Sequence, residues 1–268
     1  MKAYEIINIF NEWAPSYLVD TWDNTGFQIG NPEIDVKKIL VSLDLDINVL
    51  KEAKKESAQM IITHHPILFK PLNRIICDDS KGKLIYDIIK ENMVVFNAHT
   101  NLDVCHGGVN DVLAKIFNLK DIEILSKSYD IYPLENENIS YGYGRVGNIE
   151  EMGLKDLISL VKEKLNVSNI RVYGNTDKTI KKIAVCGGSG AEFIIDAYKS
   201  GADAYITGDI KYHDAQLAHE LGLILIDANH YDTEKIILPE IKNYINRKTE
   251  EKVDVKIFQY NSAPFEVY

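Results

Sequence analysis

The sequence predicts an α/β protein of two related halves, an internal duplication with a dinuclear metal site in the cleft between them, and three observations carry that expectation. Short apolar runs alternate with amphipathic helical segments, the rhythm of a parallel sheet with helical crossovers. Lys37 to Thr63 aligns without a gap on Lys181 to Thr207, and Lys37, Lys38, Ile39, Val41, Ala53, Lys55, Ala58, Ile62 and Thr63 each meet the identical residue. Histidines and carboxylates follow the apolar runs in both halves, where the crevice of an open α/β sheet lies.

In chain order, Ile6, Ile7, Ile9, Phe10 and Trp13 recur at helical spacing and stop before Pro15, which predicts an amphipathic first helix. Trp22 to Gly30 reads as a turn-rich stretch. Ile39 to Leu43, Met60 to Thr63 and Met93 to Asn97 read as buried strands, separated by helices near Asp46 to Glu56 and Ser80 to Glu91, with a further helix near Val109 to Phe117. The glycines of Tyr141-Gly142-Tyr143-Gly144-Arg145-Val146-Gly147 suit a bent or bulged strand better than a flexible linker. The rhythm then restarts, with a strand from Leu223 to Asp227 and a helix from Tyr212 to Leu221. The expected halves are residues 1–125 and 126–268, with C-terminal elements able to pack back onto the first.

Composition narrows the function classes. With 268 residues and 46% hydrophobic content the chain can bury a substantial core, and 26% charged residues give no reason to expect long disorder. A formal charge of −10, from 30 basic and 40 acidic residues, opposes broad attraction to nucleic acid or an anionic membrane. Cys77, Cys105 and Cys186 show no C-x-x-C spacing, so neither a disulfide framework nor a thiolate zinc site is indicated. A reducing cytoplasm is the expected compartment, and no run approaches the roughly 20 apolar residues of a membrane span.

The chemistry concentrates at the strand exits. His64 and His65 follow the run ending at Thr63, Asp103 lies shortly after Asn97, and His230 and Glu234 follow Asp227. Imidazole and carboxylate together bind borderline divalent metals. Neighbouring side chains of an extended segment point to opposite sides, so His64 and His65 would serve two adjacent ions. His230 and Glu234 share a helix face, which lets the carboxylate bridge both ions. Each residue alone would pass for an ordinary polar loop or helix cap, but their recurrence at strand exits of both halves argues for a metal centre. The ligand types leave Zn, Fe, Mn, Co and Ni open.

These residues lie in motifs. Trp22-Asp23-Asn24-Thr25-Gly26-Phe27-Gln28-Ile29-Gly30, Ile62-Thr63-His64-His65-Pro66, Asn97-Ala98-His99-Thr100-Asn101-Leu102-Asp103, Gly142 to Gly147, Val185-Cys186-Gly187-Gly188-Ser189-Gly190 and Asp227-Ala228-Asn229-His230-Tyr231-Asp232-Thr233-Glu234 resemble, in order, those of the Nif-three-like family, also called the GTP cyclohydrolase I type 2 homologue or dinuclear metal centre family. The resemblance extends to Asn261-Ser262-Ala263-Pro264-Phe265. It implies a two-metal site at His64, His65, Asp103, His230 and Glu234 and a toroidal homohexamer. It also implies a short form, because the stretch between Lys120 and Lys181 leaves no room for the domain that longer members insert.

The expected function is a dinuclear metal-dependent hydrolase acting on a small, nucleotide-like substrate, with water activated by two divalent ions. Any cyclohydrolase reaction would begin at the purine C8 position. The alternative is a metal-binding hexameric scaffold or regulatory protein without catalysis. Among weaker candidates, Gly187 to Gly190 offers either a tight turn or an anion-holding loop at a helix start. His99 and His213 offer proton shuttles or structural histidines, His219 a solvated helix face, and Cys105 beside His106 a nucleophile without a partnering motif.

Overall fold

The computed structural model describes residues 1–131, 139–174 and 178–259. It divides into two compact units, the first containing Met1–Leu102 and the C-terminal segment from Leu238, the second Asp103–Ile237. The closing Asn261 to Phe265 motif lies outside the described residues. Along the chain come α1 (Ala3–Trp13), β1 (Gly26–Ile29), β2 (Lys38–Ser42), α2 (Ile47–Lys55), β3 (Met60–Thr63), α3 (Ser80–Lys90), β4 (Val94–Asn97) and α4 (Thr100–Val104). Then follow α5 (Val109–Ile116), β5 (Lys120–Ile131), β6 (Ile139–Gly153), α6 (Leu154–Leu165), β7 (Arg171–Tyr173), β8 (Thr179–Ser189), α7 (Ile194–Lys199), β9 (Ala204–Gly208), α8 (Tyr212–Glu220), β10 (Ile224–Asp227), α9 (His230–Glu234), α10 (Leu238–Lys248) and β11 (Asp254–Ile257).

The first unit carries a five-stranded sheet in the order β1-β4-β3-β2-β11, with β11, β2, β3 and β4 parallel and β1 antiparallel on the edge. Every residue of β3 and β4 is buried, which is why these strands read as unbroken apolar runs: a parallel strand covered on both faces needs no polar side. The helices start on side-chain caps. Asp46 accepts from the Asn48 and Val49 amides, and Asp79 accepts from the Gly82 amide. The Trp22 to Gly30 stretch, turn-rich in sequence, holds the short strand β1. Its pairing is made from a distance: the Gly26 amide donates to the Asn97 side chain at 3.2 Å, and Gly30 sits at φ +114° where a Cβ would come within 2.7 Å of the Met93 carbonyl oxygen.

Helix α1 buries Ala3, Ile6 and Phe10. The Phe10 ring meets Phe96 at 5.4 Å, Trp13 at 5.5 Å and Tyr244 of α10 at 6.4 Å. Phe10→Ala is therefore expected to destabilise the first unit by roughly 3–5 kcal/mol, the usual cost of an unfilled aromatic cavity, read as a lowered urea midpoint with an unchanged slope.

The second unit carries a six-stranded sheet ordered β5-β6-β8-β9-β10-β7, in which β8, β9 and β10 are parallel and β6 and β7 antiparallel to their neighbours. The glycine-rich segment is a strand, and Gly144 bends it at φ +63°. Hydrogen bonds recur at equivalent places in the two units. The side chain of Gln59 accepts from the Lys37 and Lys38 amides, and that of Asp203 from the Lys181 and Lys182 amides. The Ala98 amide donates to the Thr63 carbonyl as the Ala228 amide does to the Thr207 carbonyl. No helix among the described residues is long and apolar enough to cross a membrane.

Candidate metal centre

In the first unit, the chain leaving β3 curls as the amides of His64 and His65 both donate to the Leu43 carbonyl, at 3.2 and 3.0 Å. The two rings consequently approach to 5.0 Å between centroids instead of pointing to opposite sides, as an extended segment would have them. A third imidazole, His99, lies 5.2 Å from the ring of His64 and 5.5 Å from that of His65. One ligand atom from each of the three residues falls within 4.8 Å of the others.

All three imidazoles are oriented in the same way. Nδ1 of His64 is 2.8 Å from the Ala98 carbonyl oxygen, Nδ1 of His65 is 2.8 Å from Asp44 Oδ1, and Nδ1 of His99 is 3.1 Å from Asp23 Oδ1. A carbonyl or a carboxylate only accepts, so a neutral imidazole hydrogen-bonded to it through Nδ1, as those of His64 and His65 are, carries its proton there and presents Nε2 as its ligand-type atom. Asp23 is itself anchored, accepting from the hydroxyls of Thr25 and Thr100.

Burial alone would raise the Asp23 carboxyl, but His99 and these hydroxyls outweigh it and hold the group well below the usual carboxylate range. A depressed folded-state value means that the carboxylate contributes stability above its unfolded value, about 3.9, and that this contribution is lost as pH falls. The gap in urea midpoint between the parent and Asp23→Asn is expected to be widest near neutral pH and to narrow steadily below pH 4. A gap independent of pH would refute the assignment.

In the second unit, β10 ends in a turn whose Asn229 is left-handed at φ +67°, and α9 begins at His230. Nδ1 of His230 is 2.7 Å from Asp209 Oδ2, so this imidazole is held as those of His64 and His65 are. Its Nε2 is 3.0 Å from Glu234 Oε2 one helical turn on, and Glu234 is buried. Asp103, also buried, sits at the end of α4, where its carbonyl accepts from the Asn110 side chain. Asn110 in turn accepts from the Gly187 amide at 3.0 Å.

Gly187 to Gly190 does not form an anion loop. The Gly187, Gly188 and Gly190 amides are spent on Asn110, Thr233 and Thr207 respectively. The glycines serve close approach instead: at Gly188, held at φ +66°, a Cβ would come within 2.0 Å of Glu234 Oε1 and 3.3 Å of His230 Nε2. The adjacent Cys186 thiol is pushed far up by burial and then by the Asp103 carboxylate, with Glu234 adding to the shift. Cys105 is likewise raised, by burial first and Asp103 next, so burial disfavours the thiolate form at both cysteines.

Among the described residues, His106, His213 and His219 belong to no group of ligand-competent side chains. His106 rests on Tyr141, and His213 is exposed against Tyr212. The anchors Asp23, Asp44 and Asp209 escape a reading confined to ligands. Their signal was available, since Asp44 and Asp209 stand just past the ends of β2 and β9, at the same edges that present the histidines.

A model of the family Duf34/NIF3 (NGG1p interacting factor 3) matches residues 1–264. The chain belongs to the Duf34/NIF3 family. Within it, the chain is 38% identical over 267 residues to a GTP cyclohydrolase 1 type 2 homolog of Clostridium perfringens (strain 13 / Type A), covering 99% of each chain. Against the homolog of the same description from Bacillus subtilis (strain 168) the alignment runs over 367 positions at 28% identity, covering 99% of this chain and 98% of the other. The Bacillus subtilis protein thus carries residues that this Duf34/NIF3 chain lacks. Among solved structures, that of a Bacillus cereus protein related to NIF3 matches with a TM-score of 0.93 and 27% identity, covering 100% of this chain and 99% of the other.

Proposed function

We propose that this Duf34/NIF3 protein is a metal-dependent hydrolase in which His64, His65, Asp103, His230 and Glu234 hold two divalent transition-metal ions. One observation carries the reading: His64, His65 and His230 each turn Nδ1 to a fixed acceptor, the Ala98 carbonyl, Asp44 and Asp209, which is the orientation that metal-ligating imidazoles take. Two ions would supply Lewis acidity and an activated water. The chain's own contribution is to orient the imidazoles through Asp44 and Asp209, to set Asp103 and Glu234 against the ions' charge, and to keep His99, backed by Asp23, beside His64 and His65 as a proton carrier. GTP is the first substrate to test, because the relatives are named GTP cyclohydrolase 1 type 2 homolog.

The test is elemental analysis of metal-saturated protein followed by turnover assays before and after chelation. Two ions per chain, with hydrolysis lost on chelation and restored by added divalent metal, support the reading. One ion or none overturns the dinuclear centre. Full occupancy with no turnover of GTP, phosphoesters or cyclic amides would overturn the hydrolase in favour of a metal-binding scaffold.

The recurrent hydrogen bonds and the shared arrangement of three parallel strands with an antiparallel edge strand support a further proposal about origin, and the family resemblance alone supports one about assembly. The units are duplicated copies of one ancestral α/β module, and the family resemblance suggests that the chain assembles as a homohexamer. A monomer mass by light scattering at micromolar concentration would reject the hexamer.

A further inference from the structure

The first unit exposes two large aromatic rings beside its histidine cluster. Trp22 is 60% and Phe69 44% exposed, yet neither lies on a loose loop. The Asn24 side chain donates to the Leu68 carbonyl at 2.7 Å, the Leu68 amide donates to Gln28 Oε1 at 3.1 Å, and the Gln28 side chain donates to the Asn24 carbonyl at 2.7 Å. These bonds tie the segment bearing Trp22 to the segment bearing Phe69. The rings are thereby pre-organised, and a ligand meeting them loses little conformational entropy.

The rings meet edge to face at 6.1 Å, and each also meets the His99 ring edge to face, at 6.2 Å for Trp22 and 6.3 Å for Phe69. Three aromatic rings converging without face-to-face stacking form a corner in which a planar ring can stack on one wall and be met edge-on by another. The adjoining cavity, about 610 Å³, is walled by Trp22, Phe69, Leu68, Ile75 and Ile89, with Lys70 among its lining residues. That volume falls in the range of small-molecule sites, roughly 300–1,000 Å³. An apolar aromatic corner with a cation selects for a flat ring carrying a negative group.

We propose that Trp22, Phe69 and His99 form the ring-binding corner of a subsite for a small ligand made of a planar heteroaromatic ring and an anionic arm, the arm being taken by Lys70. The proposal rests on the hydrolase reading and deepens it by assigning the residues that would hold the ring and the anionic arm of its substrate, since His99 belongs both to this corner and to the histidine cluster.

Binding can be measured without metal or turnover. The chain contains two tryptophans, so Trp13→Phe leaves Trp22 as the sole indole reporter. In that full-length background, stripped of metal with chelator, the probes are a purine nucleoside monophosphate, the corresponding nucleoside and ribose 5-phosphate. The nucleotide is expected to quench Trp22 emission saturably, and ribose 5-phosphate is not. Phe69→Ala should weaken nucleotide binding roughly tenfold, the scale of one lost aromatic stacking partner. Lys70→Ala should weaken the nucleotide while leaving the nucleoside unchanged.

Absence of saturable quenching by nucleotide and nucleoside, or equal affinity in Phe69→Ala and the parent, would overturn the proposal. So would a change of mass in light scattering on Phe69→Ala with no quenching by any probe, because the face would then be covered by a second copy of the chain. A failed titration with full metal occupancy rejects this subsite alone, whereas successful binding with no metal uptake rejects the metal centre alone.

Discussion

Glu234→Ala is expected to empty the proposed metal site: where the parent is expected to take up two ions per chain, the variant should retain none after gel filtration, with affinity for the first ion reduced by well over roughly 100-fold. That scale follows from the effect of removing outer partners of metal ligands, which costs about 10- to 100-fold, so loss of the proposed bridging ligand must exceed it. Asp209→Asn supplies the comparison, because it weakens the anchor of His230 without removing a ligand and should fall within that smaller range. The thermal midpoint of metal-free Glu234→Ala should stay within a few degrees of the metal-free parent, since truncating a buried carboxylate beside Asp103 and Cys186 also removes a desolvated charge. Two-ion occupancy in Glu234→Ala would remove the bridge from the proposal. Unfolding of the variant with and without metal would make Glu234 a structural group.

Gly188→Ala should combine two losses that a second glycine separates. At φ +66° an L-residue is strained, which costs roughly 1–3 kcal/mol, and the new methyl would also occupy the place of Glu234 Oε1, 2.0 Å from the ideal Cβ. Gly201 has a similar backbone, φ +77°, but nothing within 4 Å of its Cβ position. Gly201→Ala is therefore expected to lower the thermal midpoint by the backbone cost alone and to keep full metal occupancy. Gly188→Ala should lower the midpoint further and lose metal, because its Glu234 carboxylate must move. Equal metal content in the two variants would show that the glycine turn does not shape the centre.

The same contrast explains why the glycine turn was ambiguous in sequence. Gly187-Gly188-Ser189-Gly190 after a strand suits either an anion loop or a close packing contact, and local composition does not distinguish them. The choice was made by Asn110, Thr233 and Thr207, whose side chains consume the amides from 77, 45 and 17 positions away. His99 presents a similar case. Proton shuttle and structural histidine were both open until the fold placed Asp23, remote in sequence, against its Nδ1 and set its ring beside His64 and His65.

What the amino-acid order determined by itself was the local part of the molecule. The apolar runs at Met60–Thr63 and Val94–Asn97, the cap of α2 at Asp46 and the glycine bend in β6 all arise from interactions within a few residues, so periodicity and residue type reveal them. The placement of histidines and carboxylates after strands was equally legible, because the strand ends themselves were. Only the tertiary structure decided that Gly26–Ile29 is an edge strand, since four residues among turn formers acquire strand pairing through β4 rather than through their own pattern. It decided that β11 returns to pair with β2, and that His64 and His65 converge on one region because both amides share the Leu43 carbonyl. It also decided which acceptors hold each imidazole. Hydrogen bonds between residues far apart in the chain impose no period and no composition on either partner, so their geometry exists only once the strands have been brought side by side.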